Sequence, residues 1–121
     1  MLPEGREARL RCYRNALRNW KYAGYVQFDL LAVRELETIL PEYSLSEIAH
    51  EMHNYVEAGG RIDEQEEKRA LECATDKAEK WRYDLRLTIN QRRIYFESVL
   101  LCKDPDDPDD PMIQVVNAKD A

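Results

Sequence analysis

The sequence predicts an α+β domain, with three or four helices packed on one face of a three-stranded antiparallel β-meander. Two observations carry that expectation. Up to about residue 60 the apolar residues recur at helical spacing, and from Trp81 onward they alternate with polar ones. At 121 residues the chain is one domain by length. It divides into a helical part at 1–60, a charged helix or extended connector at 61–80, and a meander at 81–118 with an Asp/Pro-rich loop at 103–111.

The first helix is read in "EARLRCYRNALRNWKYAG". Leu10, Tyr13, Leu17 and Trp20 fall on one face, Arg9, Arg11, Arg14, Arg18 and Lys21 fill the rest, and Gly24 is the expected stop. "FDLLAVRELETIL" is the second, ended by Pro41, which pushes the residue before it out of the α region. The third starts at Ser44 with Glu47 three positions on, a capping box. Its stripe is Leu45, Ile48, Ala49, Met52, Tyr55 and Val56, and Gly59 and Gly60 stop it. From Arg61 to Lys80 the residues are helix formers with little apolar content. Asp63 with Glu66 is a second capping pair if this is a surface helix; the alternative is an extended lead-in to the sheet.

In "WRYDLRLTI" the apolar Trp81, Tyr83, Leu85, Leu87 and Ile89 alternate with Arg82, Asp84, Arg86 and Thr88, the pattern of a half-buried strand. "RRIYFESVLL" follows after Asn90 and Gln91. A hairpin loop at those two residues sets Leu87 opposite Ile94, Leu85 opposite Phe96 and Tyr83 opposite Ser98. "MIQVV" is the third strand. The loop before it, "KDPDDPDDP", places proline at every third position, suiting a stiff polyproline-like path. It lacks the glycine turn of a calcium loop, so the residues guard a sheet edge or meet a basic partner.

The net charge of −6 is unevenly spread. Residues 1–28 sum to +4, 29–67 to −9, 68–93 to +4 and 94–121 to −5. The two basic segments keep an anionic partner in play despite the acidic total. No apolar run is long enough to span a membrane, and the first residues have no apolar h-region. Cys12, Cys73 and Cys102 are odd in number and far apart, which fits reduced thiols and a cytoplasmic protein.

The hairpin register also fixes the outer sheet face. Thr88 faces Arg93, Arg86 faces Tyr95, Asp84 faces Glu97 and Arg82 faces Val99. With the helices on the other side, this face is expected to be solvated. It offers cationic clamps for phosphate and a carboxylate and tyrosine for proton transfer. A plain charged outer face is the alternative.

Helices followed by "YDLRLTI", "RRIYFESVLL" and "MIQVVN" resemble the RelE/MqsR-type superfamily of bacterial toxin-antitoxin ribonucleases, over residues 44–118. The resemblance rests on element order and on the strands that bear arginine and tyrosine. It implies a metal-independent endoribonuclease that cleaves mRNA and is held by a protein antitoxin. On that reading Glu97 is the base, Tyr95 orients the nucleobase, and Arg86 acts with them. Arg82, Asp84 and Arg93 bind substrate, and no cofactor or metal is called for. The alternative is a non-enzymatic interaction module, an antitoxin, immunity protein or inhibitor, whose acidic surface meets a basic partner. A homo-oligomer stays open.

Other motifs point nowhere sharper. In "HEMH" the histidines are three apart rather than the four of a zinc-protease motif. His50, His53 and Glu57 share a helix face, which reads as solvated histidines. "SLSEIAHEM" resembles the first helix of a helix-turn-helix, but its apolar pattern runs on to the glycines. Tyr13, Trp20, Tyr55, Trp81 and Phe96 read as core.

Overall fold

A computed structural model describes residues 5–66, 81–101 and 111–121. Among these, three helices and five strands occur: α1 (Arg6–Arg18), β1 (Val26–Phe28), α2 (Leu30–Ile39), α3 (Leu45–Glu57), β2 (Asp63–Glu66), β3 (Trp81–Ile89), β4 (Arg92–Leu101) and β5 (Met112–Asp120). The strands form one sheet in the order β1-β5-β4-β3-β2. The α+β class is as expected, but the sheet is not a three-stranded meander. β3, β4 and β5 are antiparallel neighbours, β2 adds antiparallel to β3, and β1 adds parallel to β5.

The two extra strands are short, and each was hidden by a stronger local signal. β1 is only "VQF", and Phe28 continues the apolar run of α2 so smoothly that it reads as helix. β2 is "DEQE", rich in helix formers and poor in β-propensity. Asp63 and Glu66 therefore belong to an edge strand and cap no helix. The remainder of the charged connector, 67–80, lies outside the described residues, as does the Asp/Pro-rich loop apart from Pro111.

The β3–β4 hairpin follows the expected register residue for residue: Leu87 opposite Ile94, Leu85 opposite Phe96, Asp84 opposite Glu97, Arg82 opposite Val99. Asn90 and Gln91 make the turn with φ of 53° and 65°, both left-handed, the geometry of a type I′ hairpin. Between β4 and β5 the register shifts at Glu97/Ser98, and Val116 is the extra residue. This bulge resets the phase of β5. Ile113 and Val115 face the core before it, and Ala118 after it, where an unbulged strand would have turned Asn117 inward.

All three helices cover the same sheet face. Tyr13, Ala16 and Leu17 of α1, Ala32 and Leu36 of α2, and Ile48, Met52 and Val56 of α3 form one core with Tyr83, Leu85, Phe96, Leu100, Ile113 and Val115. Each large apolar side chain so buried contributes about 1.5–3 kcal/mol. The capping box of α3 is present: Ser44 Oγ accepts from the Glu47 N–H at 3.1 Å, and Glu47 accepts from the Ser44 N–H at 3.0 Å. α1 ends at Arg18, before the Gly24 expected to stop it, and Gly24 instead turns the chain into β1 with φ +94°. Trp20 lies past the helix end and is half-buried rather than core.

Two sets of polar groups reach into the core with partners. Ser98 faces inward and shares a hydrogen bond with the Tyr13 hydroxyl at 2.8 Å, while its own hydroxyl donates to the Tyr83 carbonyl at 2.9 Å. Arg9 makes two contacts of 2.9 Å to the Glu64 carboxylate, and the Tyr83 hydroxyl donates to the same carboxylate at 2.7 Å. The Arg9 guanidinium also lies 4.1 Å from the Trp81 ring centroid. This clasp ties α1 to the edge strand β2.

Candidate functional site

The outer sheet face gathers five of the six residues singled out from the sequence. Arg82, Asp84 and Arg86 project from β3, and Tyr95 and Glu97 stand opposite them on β4. Arg93 does not join the cluster. It is exposed near the hairpin turn, opposite Thr88, and its carbonyl accepts from the Ala121 N–H.

The expectation of a solvated face needs correction. Asp84 is 1% exposed, Glu97 6% and Val99 0%, and Gln114 on β5 is also buried. Only the margins of the cluster are open. Part of the reason is a polar network that β2 completes. Arg82 Nη2 donates to Gln65 Oε1 at 2.6 Å and to Asp84 Oδ2 at 3.3 Å, and Gln65 Nε2 donates to Asp84 Oδ2 at 3.2 Å. Arg82 Nε sits 3.0 Å from Asp84 Oδ1, an ion pair without the alignment of a hydrogen bond. Arg86 Nη1 donates to Asp63 Oδ2 at 3.1 Å, and its guanidinium lies 4.7 Å from the Tyr95 ring centroid. Asp63 also takes Arg61 Nε at 2.7 Å. The like-charge opposition of Asp84 and Glu97 is thus answered by arginine.

Protonation follows from these contacts. Burial pushes the Asp84 carboxyl above its ordinary range, and Arg82 and the Tyr95 hydroxyl, which hold the ionised form, only partly offset this. Burial and the nearby Asp84 and Glu97 charges push the Tyr95 hydroxyl far up, so it stays a neutral donor. Burial alone would lower Arg82, but Asp84, Tyr95 and Glu97 outweigh it and hold Arg82 above its usual value. The cluster therefore holds a proton on the Tyr95 phenol. Its two central arginines already face carboxylate partners, so a phosphate would have to displace Asp63 or Asp84.

A different surface was missed by sequence reasoning. The segment Trp20–Gly24, the strand β1 and the start of α3 enclose an open notch of about 490 Å³. Tyr22, Val26, Phe28, Leu45 and Ala49 supply its apolar lining. Leu45 also lines a second notch of about 230 Å³, together with Val33, Glu37, Leu40 and Tyr43. Tyr22 is 64% exposed and Leu45 38%, while Leu30 and Leu31, the first residues of α2 after β1, are 64% and 58% exposed. The one available signal was that Leu30 and Leu31 cannot both lie on the buried face that Ala32 and Leu36 define.

His50 and His53 do not converge on a ligand. His50 lies flat on Trp20, with ring centroids 4.3 Å apart, and His53 Nε2 is 3.5 Å from Glu57 Oε1, which also takes Arg18 Nε at 3.0 Å. Among the described residues no group of three metal-ligating side chains occurs. Burial pushes the Cys12 thiol up, away from thiolate chemistry. No helix among the described residues is long and apolar enough to cross a membrane. No protein-family model, no curated protein and no solved structure matches this chain.

Proposed function

We propose that the chain is a non-enzymatic binding module for a basic protein, acting in the manner of an antitoxin, immunity protein or inhibitor. The observation that carries this reading is the exposed apolar set Leu30, Leu31 and Leu45, which falls in the most acidic part of the chain, with exposed Tyr22 just before it. Between Asp29 and Glu66 there are ten acidic and two basic residues. Apolar anchors in a segment with a surplus of one sign of charge suit a partner of the opposite sign, with charge steering the encounter and burial holding the complex. On the opposite sheet face Arg82 and Arg86 are turned to Asp84, Gln65 and Asp63, which favours a structural role for that network.

The test is retention of protein from a bacterial lysate on the immobilised chain at about 0.05 M and about 0.5 M salt. A basic protein held at low salt and released at high salt is expected. Retention of nothing basic would overturn the reading.

A metal-independent ribonuclease of the RelE/MqsR type is the second reading. What favours it is the meeting of Arg86, Tyr95, Arg82, Asp84 and Glu97 on one face. It requires that induced expression arrest growth and that Glu97→Ala or Arg86→Ala relieve the arrest. Normal growth with intact RNA would exclude it.

A further inference from the structure

Among the described residues β1 is an edge strand with one side open. On its inner side the Ile113 N–H donates to the Tyr25 carbonyl at 2.7 Å and the Asp29 N–H donates to the Val115 carbonyl at 2.8 Å. With Gln27 in register with Gln114, the strand alternation turns the N–H and C=O groups of Val26 and Phe28 away from β5. Those groups meet no backbone partner among the described residues. They open onto the 490 Å³ notch, whose far wall is Leu45, Ser46 and Ala49 of α3. A bare edge with an apolar floor beside it is the geometry of strand addition.

Charge identifies the class of occupant. Glu37 lines the adjoining notch, and Glu42 and Glu47 are exposed close in sequence to residues that line it, Pro41 and Tyr43 on either side of the first and Leu45 two positions before the second. Lys21 is the one charged residue lining the β1 notch itself, so the acidic groups act from beside it. A second copy of this chain would set one acidic rim against another, in a molecule of net charge −6.

We propose that the outer edge of β1 takes up an extended peptide of a basic protein as a sixth strand. Alternate apolar side chains of the peptide enter the notch between β1 and α3, and its lysines or arginines meet Glu37, Glu42 and Glu47. The proposal rests on the binding-module reading above and gives that module its mode of recognition. The backbone groups of Val26 and Phe28 supply affinity irrespective of sequence, and the notch and acidic rim supply selectivity.

The probe is a library of random ten-residue peptides displayed on phage, selected against the full chain and then synthesised. Selected peptides should alternate apolar residues with lysine or arginine and weaken with salt. In the complex, the Val26 and Phe28 amides should exchange with solvent at least about tenfold more slowly, as newly bonded strand amides do. Val26→Pro removes an outward N–H without touching a bond to β5, and should weaken binding about tenfold, the loss of roughly one strand hydrogen bond. Leu45→Ala removes apolar lining without adding charge, leaves the β1 backbone intact and should weaken the same peptides, so a folding defect in the proline variant does not decide the matter. Salt-sensitive basic peptides that leave both amides unprotected and bind both variants normally would overturn strand addition while the binding-module reading survives. Peptides without basic residues, or no selected peptide at all, would overturn both.

Discussion

Arg9 and Glu64 meet as a buried pair, joined by two contacts and closed by the Tyr83 hydroxyl. Removing one partner of such a pair leaves an uncompensated charge in the interior. Arg9→Ala is therefore expected to lower stability by about 3–5 kcal/mol in urea unfolding. Replacing both residues with methionine should recover much of that loss. A pH effect follows from the same contact. Burial pushes the Glu64 carboxyl up, but the hydrogen bonds from Arg9 and Tyr83 outweigh it and leave it below its ordinary value of 4.5. A depressed carboxylate contributes stability that is present above the unfolded value and is lost as the pH falls through the folded one. The melting temperature should thus drop as the pH is lowered below about 4.5, and Glu64→Gln should flatten that drop. Asp84 works in the opposite sense: its raised value means that acidification relieves a penalty there.

At the scale of elements, the β3–β4 hairpin is where physical pattern and structure agree best. Nine residues of strict alternation left one register that buries the apolar set, and that register is the one formed. Its turn holds two residues other than glycine at positive φ, a conformation disfavoured for residues with a Cβ. Gln91→Gly should stabilise the protein by about 1 kcal/mol, read as a higher urea midpoint with an unchanged slope. The capping box of α3 was legible because Ser44 and Glu47 supply both side chains of the motif. β1 and β2 were not legible. A three-residue strand carries no period to read, and "DEQE" pairs with β3 because an edge position tolerates charge. The inward turn of Ala118 depends on a bulge, which no local alternation announces. The candidate site divides the same way. The meeting of Arg86, Tyr95, Asp84 and Glu97 followed from the hairpin register, whereas the contacts of Asp84 with Gln65 and of Arg86 with Asp63 required β2. The notch beside β1 depends on three separated segments, which no local pattern brings together.

For the whole molecule, the charge blocks along the chain become a surface with apolar side chains at its acidic part. The basic residues of α1 are partly used within the fold, Arg9 by Glu64 and Arg18 by Glu57. Glu37 of α2, Glu42 of the link between the helices and Glu47 of α3 are exposed. Association with a basic partner should therefore quicken at low salt, with the change concentrated in the on-rate. On the proposed function, this acidic side with its exposed apolar residues is a protein-binding surface. The most direct measurement is the dissociation constant of the retained basic protein for the chain and for its Glu37→Lys, Glu42→Lys double variant, at about 0.05 M and about 0.3 M salt. The prediction is at least a tenfold weakening by the double variant at low salt, about 1.4 kcal/mol or more, with the gap narrowing at high salt. Equal affinity of the two proteins at both salt concentrations would contradict it.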